Sequence, residues 1–329
     1  MTDARAPVLV APDGFKGTLR ASEVAAALAR GLEAGGWPAD PCPLADGGEG
    51  TLEALMLALG GETAAAEVSD PLGRPVRAGF GLVEGGATAI VESAQAIGLG
   101  LVAPRERDAE AATSRGAGEL ILAAVEAGAR EVVVALGGSA TTDGGAGALE
   151  AIERAGGLRG AGLVALCDVR TPFERAAALF GPQKGADAPA VGRLERRLRA
   201  LAARLPRDPS GVPGTGAAGG LAGGLWAAHG AALAPGAAFV LDTIGYDERM
   251  RAARAVIVGE GRLDRQTLEG KAPGEAAVRA RQAGVPCFAV CGRRALDDFD
   301  ARILDLQAVL EAGDPPALER AGRALAEMV

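Results

Sequence analysis

The sequence predicts an α/β protein with two α/β domains, one a mostly parallel three-layer sheet and the other an inserted, mixed-sheet domain. Short apolar runs alternate with Gly-rich, acid-bearing turns and helical patterns near both ends of the chain. Between residues 64 and 93 the pattern changes to short strands joined by tight turns, and the opening pattern returns after about residue 242. We therefore expect residues 1–66 and 240–329 to form a discontinuous Rossmann-like domain, with 67–239 as the inserted domain.

The repeated unit of the chain is a strand, a turn and a helix. In the first copy the turn PDGFKG is followed by a helix, for which Ser22 is the predicted N-cap and Gly35 the end. In the second copy the turn DGGEG leads into the helix TLEALMLALGG. Ligands of parallel sheets bind beyond the carboxyl ends of the strands, where these turns lie. The predicted strands of the four copies are residues 8–11, 42–45, 132–136 and 255–258.

The middle of the chain shows a different pattern of predicted secondary structure. The segments AAAEVSD, VRAGFGLVE and TAIVES are predicted to be short strands in a partly antiparallel arrangement, linked by the turns PLGRP and GG. Residues 191–204 carry leucines at helical spacing, which predicts an amphipathic helix that packs on its own domain.

Composition excludes several functions. The chain has 329 residues, 49% hydrophobic and 23% charged, as expected of a folded globular protein. Its formal net charge of -8 disfavours binding to nucleic acid or to an anionic membrane. No segment is long and apolar enough to span a bilayer, and the first residues do not resemble a signal peptide. Four cysteines without a CxxC pair indicate reduced, buried thiols, so we expect a cytoplasmic protein.

A single histidine, His229, leaves little room for a His-based zinc site or a Ser-His hydrolase. The segment GTGAAGG contains Gly214, Gly216 and Gly219 in the G-x-G-x-x-G spacing, but a proline-bearing loop precedes it where a dinucleotide fingerprint requires a strand. A nicotinamide oxidoreductase is therefore disfavoured. Two interpretations of this Gly-rich segment, including Gly220, remain open, namely close packing of backbones and binding of an anion.

The lysines are unusual. Of the 34 basic residues only three are Lys, and each is next to a glycine. In a chain that uses Arg almost everywhere else, a retained Lys indicates a site that needs a compact point charge, such as one that binds phosphate or a small carboxylate. The three are Lys16, Lys184 and Lys271.

Acidic residues accompany these lysines, at the ends of the apolar runs and in the turns that follow. Magnesium prefers one or two carboxylates together with water and substrate phosphates, and phosphoryl transfer to a hydroxyl also requires an acid that accepts its proton. Each acid could instead be a helix cap or turn residue. Ser139, Thr141 and Thr142 could donate to phosphate or cap the next helix. The acids are Asp13, Asp46, Glu49, Asp143, Asp168, Glu260 and Asp264.

In these motifs the chain resembles the bacterial type I glycerate kinases. Six blocks occur in the family's order over nearly the whole length. They are APDGFKGTL (11–19), LADGGEGT (44–51), ALGGSATTDGGAG (135–147), FGPQKGA (180–186), GTGAAGGLAGGL (214–225) and GEGRLDRQTLEGKAP (259–273).

The resemblance implies an enzyme that transfers the γ-phosphate of ATP, with Mg²⁺, to a hydroxyl of glycerate, with 2-phosphoglycerate favoured over 3-phosphoglycerate as product. It also implies an active site in the cleft between the two domains. A non-catalytic sensor of small hydroxy acids is the alternative, and an oxidoreductase on the same fold a weaker one. The sequence does not determine the oligomeric state, and a homodimer is compatible with it.

The roles that we expect follow from the resemblance and from the chemistry of the side chains. Lys16, Asp46, Asp264 and Lys271 are the candidate catalytic residues, with either Asp46 or Asp264 as the base. Asp168 and Asp264 are the candidate magnesium ligands. Glycerate is expected to contact Asp13, Lys16, Asp46 and Glu49. ATP is expected to contact Gly137, Gly138, Ser139, Thr141, Lys184, Gly214, Gly216, Gly219 and Gly220.

The chain also departs from the family pattern. Gly14 stands where relatives usually have Ser, and Thr142 stands where they often have Asn. The stretch between Gly147 and Cys167 is a few tens of residues shorter than is typical of the family, and we expect this to alter a surface or cleft-edge element and to leave the motif blocks intact.

Overall fold

The computed structural model describes residues 5–167 and 169–329, and it confirms the α/β class. Its strands form two sheets, one entirely parallel and one mixed. In chain order the strands are β1 (Val8–Pro12), β2 (Ala39–Pro41), β3 (Glu62–Ser69), β4 (Pro75–Val83), β5 (Thr88–Glu92), β6 (Glu131–Leu136), β7 (Gly162–Cys167), β8 (Ala232–Pro235), β9 (Ala255–Leu263), β10 (Cys287–Arg294) and β11 (Leu306–Glu311).

Helices connect most of these strands, as the sequence pattern predicts. They are α1 (Ala21–Ala34), α2 (Thr51–Leu59), α3 (Ala94–Ile97), α4 (Arg115–Glu126), α5 (Ala146–Arg154), α6 (Ala176–Phe180), α7 (Ala188–Ala202), α8 (Leu221–His229), α9 (Gly236–Thr243), α10 (Tyr246–Ala252), α11 (Ala272–Ala283), α12 (Asp298–Ile303) and α13 (Pro315–Ala326). No helix of the described residues is long and apolar enough to cross a membrane.

The chain folds into two compact units. The first unit contains the residues up to Asp46 together with Ala237–Val329, and the second unit is Gly47–Gly236. The division between the units after Asp46 lies earlier in the chain than the expected boundary at residue 66. The reason is that α2 packs on β4 and β5, and that β3 pairs with β4. The helix of the second strand-turn-helix copy thus belongs to a different unit from its strand.

The first unit has a parallel sheet in the order β11-β10-β9-β1-β2. Because side chains alternate along a strand, Val8 and Val10 of β1 face the core formed with α1 and α13. Helix α11 packs against β1, β9 and β10 and covers the sheet as well. The backbones of α1 and α13 approach closely, since a Cβ atom on Gly31 would lie 2.1 Å from the carbonyl oxygen of Glu319.

The second unit has a mixed sheet in the order β3-β4-β5-β6-β7-β8. The strands β3, β4 and β5 are antiparallel neighbours, whereas β5 to β8 are parallel. Its core is built from the inward faces of these strands and from α4, α5 and α8. A smaller core lies around Phe173 and α7. The three predicted middle strands are therefore confirmed, and the antiparallel part begins at Glu62.

Two local expectations were wrong. The residue before α1 that acts as N-cap is Arg20 and not Ser22, because the Glu23 carboxylate accepts the Arg20 N–H at 2.8 Å. The second strand ends at Pro41, so residues 42–45 lie beyond it. Cys42 and Leu44 nevertheless donate to the carbonyl groups of Val10 and Pro12, which keeps this proline-containing segment extended alongside β1.

Candidate active site

In the first unit, the turn that follows β1 carries two of the predicted substrate residues. Asp13 is buried and its N–H donates to the Gly259 carbonyl at 2.8 Å, which ties the end of β1 to β9. Lys16 is exposed, on a tight turn that Gly17 closes with a φ of +79°. Gly261 allows this turn to lie over β9, because a Cβ there would be 3.3 Å from the Cα of Phe15.

Asp46 lies close enough to Asp13 for their charges to repel. It is buried, 5% exposed, at the end of the segment that follows β2. Burial and the charges of Asp46 and Glu260 raise the pKa of Asp13 well above its usual value, while the Gly14 N–H and the Lys16 ammonium oppose the rise. The Asp13 carboxyl therefore holds a proton more tightly than an exposed carboxylate, as a group that accepts or shares a proton must.

Glu260, on β9, lies in the middle of a hydrogen-bond network. Its side chain accepts from the Thr267 hydroxyl at 2.5 Å and from the Lys271 ammonium at 3.3 Å. Burial raises the pKa of Glu260, and the contacts with Thr267 and Lys271 partly offset this. The network fixes the ammonium group of Lys271 just before α11 begins, at the carboxyl end of the sheet.

The Asp264 side chain caps a short helix. Its Oδ1 accepts the Gln266 N–H at 2.9 Å and so caps the short 3₁₀ helix Arg265–Glu269. The guanidinium of Arg262 lies 3.1 Å from Oδ2. The sequence left a capping role and a chemical role open for such acids, and the structure provides the contacts of the capping role. The nearby positive charge also opposes a cation at Oδ2.

Asp13, Lys16, Glu260 and Lys271 line a cavity at the carboxyl ends of β1, β9 and β10. Its volume is about 420 Å³, and its lining includes acids and several cations. A cavity of this size and charge suits a small anion better than an apolar ligand. The charged residues that line it are Asp13, Lys16, Glu260, Arg262, Lys271 and Arg293.

In the second unit, the turn after β6 carries Gly137, Gly138, Ser139 and Thr141. It is held against the residues that follow β5, because the Gly138 carbonyl accepts the Leu99 N–H at 2.7 Å. Gly138 has a φ of +65° and is exposed, whereas Ser139 is 5% exposed and Thr141 is fully buried. Gly138 therefore forms the accessible part of this turn.

Lys184 binds to the inner side of the same turn. Its ammonium group donates to the Ser139 hydroxyl at 3.0 Å and to the Thr141 carbonyl at 2.6 Å, and the residue is 3% exposed. The hydroxyl groups of Thr141 and Thr142 are buried, and neither has a hydrogen-bond partner among the described residues. A buried lysine and unpaired hydroxyls form a cluster of donors that a phosphate group could use.

The Gly214–Gly220 loop packs against this turn. A Cβ on Gly219 would lie 1.9 Å from the Thr141 carbonyl oxygen, and one on Gly216 would lie 2.7 Å from the Pro172 carbonyl oxygen. The N–H groups of Gly216 and Gly220 already donate to protein carbonyls. For Gly216, Gly219 and Gly220 the structure thus shows the close-packing role that the sequence left open. No strand precedes this loop in the described residues 205–213, as a dinucleotide fingerprint would require.

Glu49 belongs to the second unit, whereas Lys16 belongs to the first. It is exposed on the turn between Gly47 and Gly50, and a Cβ on Gly138 would lie 3.9 Å from its Oε2. The structure therefore brings Glu49 next to a residue that the sequence assigned to the nucleotide.

The predicted residues fall into two groups. Six belong to the first unit, and the remaining described ones to the second. The six are Asp13, Lys16, Asp46, Glu260, Asp264 and Lys271. Asp168 lies outside the described residues.

Two further residues emerge from the structure, Thr267 and Glu92. Glu260 was among the candidate acids, and its contact with Lys271, 11 residues later, gives it the role that the sequence did not assign. Glu92 contacts residues that are 40 and 42 positions away, which no local pattern shows.

Comparison with known proteins identifies the family. The family model described as the glycerate kinase family matches residues 8–155 and 153–327. Its two parts meet between Gly147 and Cys167, in the stretch that is shorter than is typical of the family. Glycerate 2-kinase of Escherichia coli K12 is 38% identical, with 87% of this chain and 84% of that protein covered. Glycerate kinase of Halalkalibacterium halodurans is 34% identical over 97% of each chain.

A solved structure gives the same result. The crystal structure of a protein designated glycerate kinase 2 from Salmonella typhimurium LT2 superposes with a TM-score of 0.83 at 32% identity, over 98% of both chains. Fold and relatives define the protein as a kinase, an enzyme that moves a phosphoryl group. The chain belongs to the glycerate kinase family.

Proposed function

We propose that this kinase transfers the γ-phosphoryl group of ATP to the 2-hydroxyl of glycerate. The observation that carries the proposal is the cavity in the first unit, whose lining includes the buried acid Asp13 and the lysines Lys16 and Lys271. Asp46, also buried, lies close enough to Asp13 to raise its pKa. Family membership supports glycerate as acceptor, and the name of the 38% identical relative, glycerate 2-kinase, supports the position of the phosphate.

In this proposal Lys16 and Lys271 bind the negative groups of the acceptor and of the transferring phosphoryl group. Their role is electrostatic, because the transition state of phosphoryl transfer spreads charge over the equatorial oxygens. Glu260 and Thr267 keep the Lys271 ammonium in place.

The proton of the attacking hydroxyl passes to the Asp13 and Asp46 pair. We favour Asp46 over Asp264 as the base, because the Asp264 carboxylate is engaged by the Gln266 N–H and by Arg262. Asp13, whose pKa is raised by burial and by Asp46, is suited to share that proton.

In the second unit we propose that Gly137, Gly138, Ser139, Thr141 and Lys184 bind the nucleotide phosphates. The support for this is the buried ammonium of Lys184 on the Ser139–Thr141 turn and the accessible backbone of Gly138. Gly214, Gly216, Gly219 and Gly220 contribute by shaping this turn, since the packing contacts at Gly219 leave no room for a side chain.

Magnesium would neutralise charge on the β- and γ-phosphates. The described residues contain no group of three or more His, Cys, Asp or Glu side chains that could hold a metal ion. Asp264 fits a cation poorly beside Arg262. We therefore propose that Mg²⁺ is bound chiefly by substrate phosphates and water, as is common for this ion, with Asp168 as the remaining candidate ligand.

A direct assay tests the proposal. Purified protein is incubated with ATP, Mg²⁺ and glycerate, ADP release is followed, and ³¹P and ¹³C NMR identify the product. We expect ADP release that depends on glycerate and a phosphate on C2. Phosphate on C3 would refute the choice of hydroxyl alone. Tight glycerate binding without turnover would instead favour a sensor of hydroxy acids.

A further inference from the structure

Glu92 is a buried acid to which the proposed reaction gives no role. It ends β5 in the second unit and is 4% exposed. Its Oε2 accepts hydrogen bonds from the backbone N–H groups of Gly50, at 3.0 Å, and Leu52, at 3.2 Å. A carboxylate is seldom buried to this degree without a specific task, because its desolvation is costly.

These two N–H groups belong to the first turn of α2. The N-cap of α2 is Gly50, which has a φ of +93° and no side chain to cap the helix. The first N–H groups of a helix lack partners within it and carry partial positive charge, so an acid near them stabilises it. Glu92 supplies from a neighbouring strand the cap that the local sequence lacks.

The Gly47–Gly50 turn, which leads into α2, is also attached to the sheet at its other end. The Gly47 carbonyl accepts the N–H of Leu136, the last residue of β6, at 2.9 Å. Residues 47–50 are therefore held by β6 on one side and by Glu92, at the end of β5, on the other. Glu49 lies between these two attachments and extends over Gly138.

We propose that Glu92 is a positioning residue, which holds the Gly47–Gly50 turn and thereby fixes the carboxylate of Glu49 beside the Gly138 turn. The proposal rests on the proposed function, in which the Gly138 turn binds the nucleotide. Glu92 acts through Glu49 and does not itself contact a substrate.

The charges around Glu92 make its effect dependent on pH. Burial raises the pKa of Glu92 to about 7, the N–H groups of Leu52 and Gly50 oppose the rise, and the negative charges of Glu49 and Glu53 add to it. Glu49 faces it from the turn and Glu53 from α2. As pH rises through neutrality, the ionised Glu92 should hold the helix terminus more firmly and also repel Glu49 more strongly.

The test compares Glu92→Gln and Glu92→Asp with a matched control. Glutamine keeps the shape and an acceptor oxygen without the charge, whereas aspartate keeps the charge and shortens the reach. Glu119→Gln is the control, because Glu119 also accepts a backbone N–H from a distant residue, Ser69, at 2.7 Å. The kcat and the KM for ATP and for glycerate are measured from pH 5.5 to pH 8.5.

We expect Glu92→Gln to lower kcat/KM for ATP roughly 10- to 100-fold, as small displacements of positioned groups do. It should also abolish an inflection near pH 7 that the parent and Glu119→Gln share. Glu92→Asp should keep the inflection with a reduced kcat/KM. The kcat/KM for ATP of the double variant Glu49→Gln/Glu92→Gln should be no lower than that of Glu49→Gln alone, because both changes remove the same effect, the placement of the Glu49 carboxylate.

Parent-like kinetics in Glu92→Gln would overturn the proposal, and so would additive losses in the double variant or a lowered Tm with an unchanged pH profile. If the parent shows no glycerate-dependent turnover, the proposed function fails. Hydrogen exchange of residues 47–59 then tests the positioning by itself. Faster exchange of this segment in Glu92→Gln than in Glu119→Gln supports it, and equal exchange overturns it.

Discussion

Two lysines in the two units differ in how the fold supports them. In the first unit Lys271 faces a carboxylate, that of Glu260, and its side chain remains 23% exposed. In the second unit Lys184 is 3% exposed, and its ammonium donates to neutral oxygens of Ser139 and Thr141. The first unit thus holds its lysine at an open cavity, while the second buries its lysine against the Ser139–Thr141 turn.

This difference predicts which changes each unit tolerates. The Lys271 site depends on the balance of Asp13, Glu260 and the lysines, and should therefore respond to changes of charge and pH. The Lys184 site depends on glycines that let backbones touch, and should therefore respond to added volume.

Gly219→Ala should have the largest effect. The new Cβ would lie 1.9 Å from the Thr141 carbonyl oxygen, and the φ of +67° adds strain. We expect a loss of roughly 3 kcal/mol or more in the free energy of unfolding, with loss of ATP binding. Urea denaturation and nucleotide titration measure both.

Gly211→Ala is the control for this change. Its φ is +72°, and a Cβ there would meet nothing within 4 Å, so only the strain of about 1 kcal/mol should appear. Equal losses in the two variants would mean that volume is not what limits the turn.

Lys271→Met should come next. It removes the cation that Glu260 and Thr267 hold in place, and we expect kcat/KM to fall roughly 10²- to 10³-fold with the fold retained. Lys271→Arg should recover little of this, because a planar guanidinium does not replace a compact ammonium. Steady-state kinetics with Arg251→Met, an exposed cation of the same unit, provides the control.

If Lys271→Arg kept full kcat and KM, the argument from the retained lysines would fail for this residue. The same measurement on Lys16→Arg extends that test to the exposed turn after β1.

The dependence of the free energy of unfolding on pH should be a smaller effect, and we expect it to arise from Glu92 in the second unit. The pKa of Glu92 is raised to about 7 from an ordinary value near 4.5. The protonated form is therefore favoured by folding. The contribution of protonated Glu92 to the free energy of unfolding is fully present below about pH 4.5 and is lost as pH rises through about 7. The upper bound of this contribution is about 3 kcal/mol. The difference in unfolding free energy between the parent and Glu92→Gln, at pH 5 and pH 8, measures it.

A difference that stayed constant between the two pH values would show that Glu92 titrates normally in the folded protein. It would also leave charge sensitivity as a property of the first unit alone.

Asp264→Asn should have the smallest effect. Asparagine is also a good N-cap, so the 3₁₀ helix should remain intact and kcat should change less than about tenfold. Asp46→Asn serves as the comparison, with an expected loss of 10²-fold or more if Asp46 is the base. A larger loss in Asp264→Asn than in Asp46→Asn would reverse our choice between the two acids.

The correct parts of the sequence prediction are those that local patterns encode. The α/β class, the parallel strands that precede the Gly-rich turns and the short middle strands follow from apolar runs and from period-two alternation. The errors at Ser22 and at residues 42–45 are local as well, because a side-chain cap and two prolines shifted the boundaries. The units divide after Asp46 because α2 packs on strands that come later in the chain.

The sequence by itself determined which chemical groups are present, namely three Gly-flanked lysines, acids after apolar strands, and a fold that presents them at strand ends. Only the tertiary structure decided which of them meet. It joined Glu92 to Gly50 and set Gly219 against Thr141. The reason is physical. Helix and strand periodicity depend on neighbours along the chain, whereas contacts between residues 40 or more positions apart depend on strand order, register and packing.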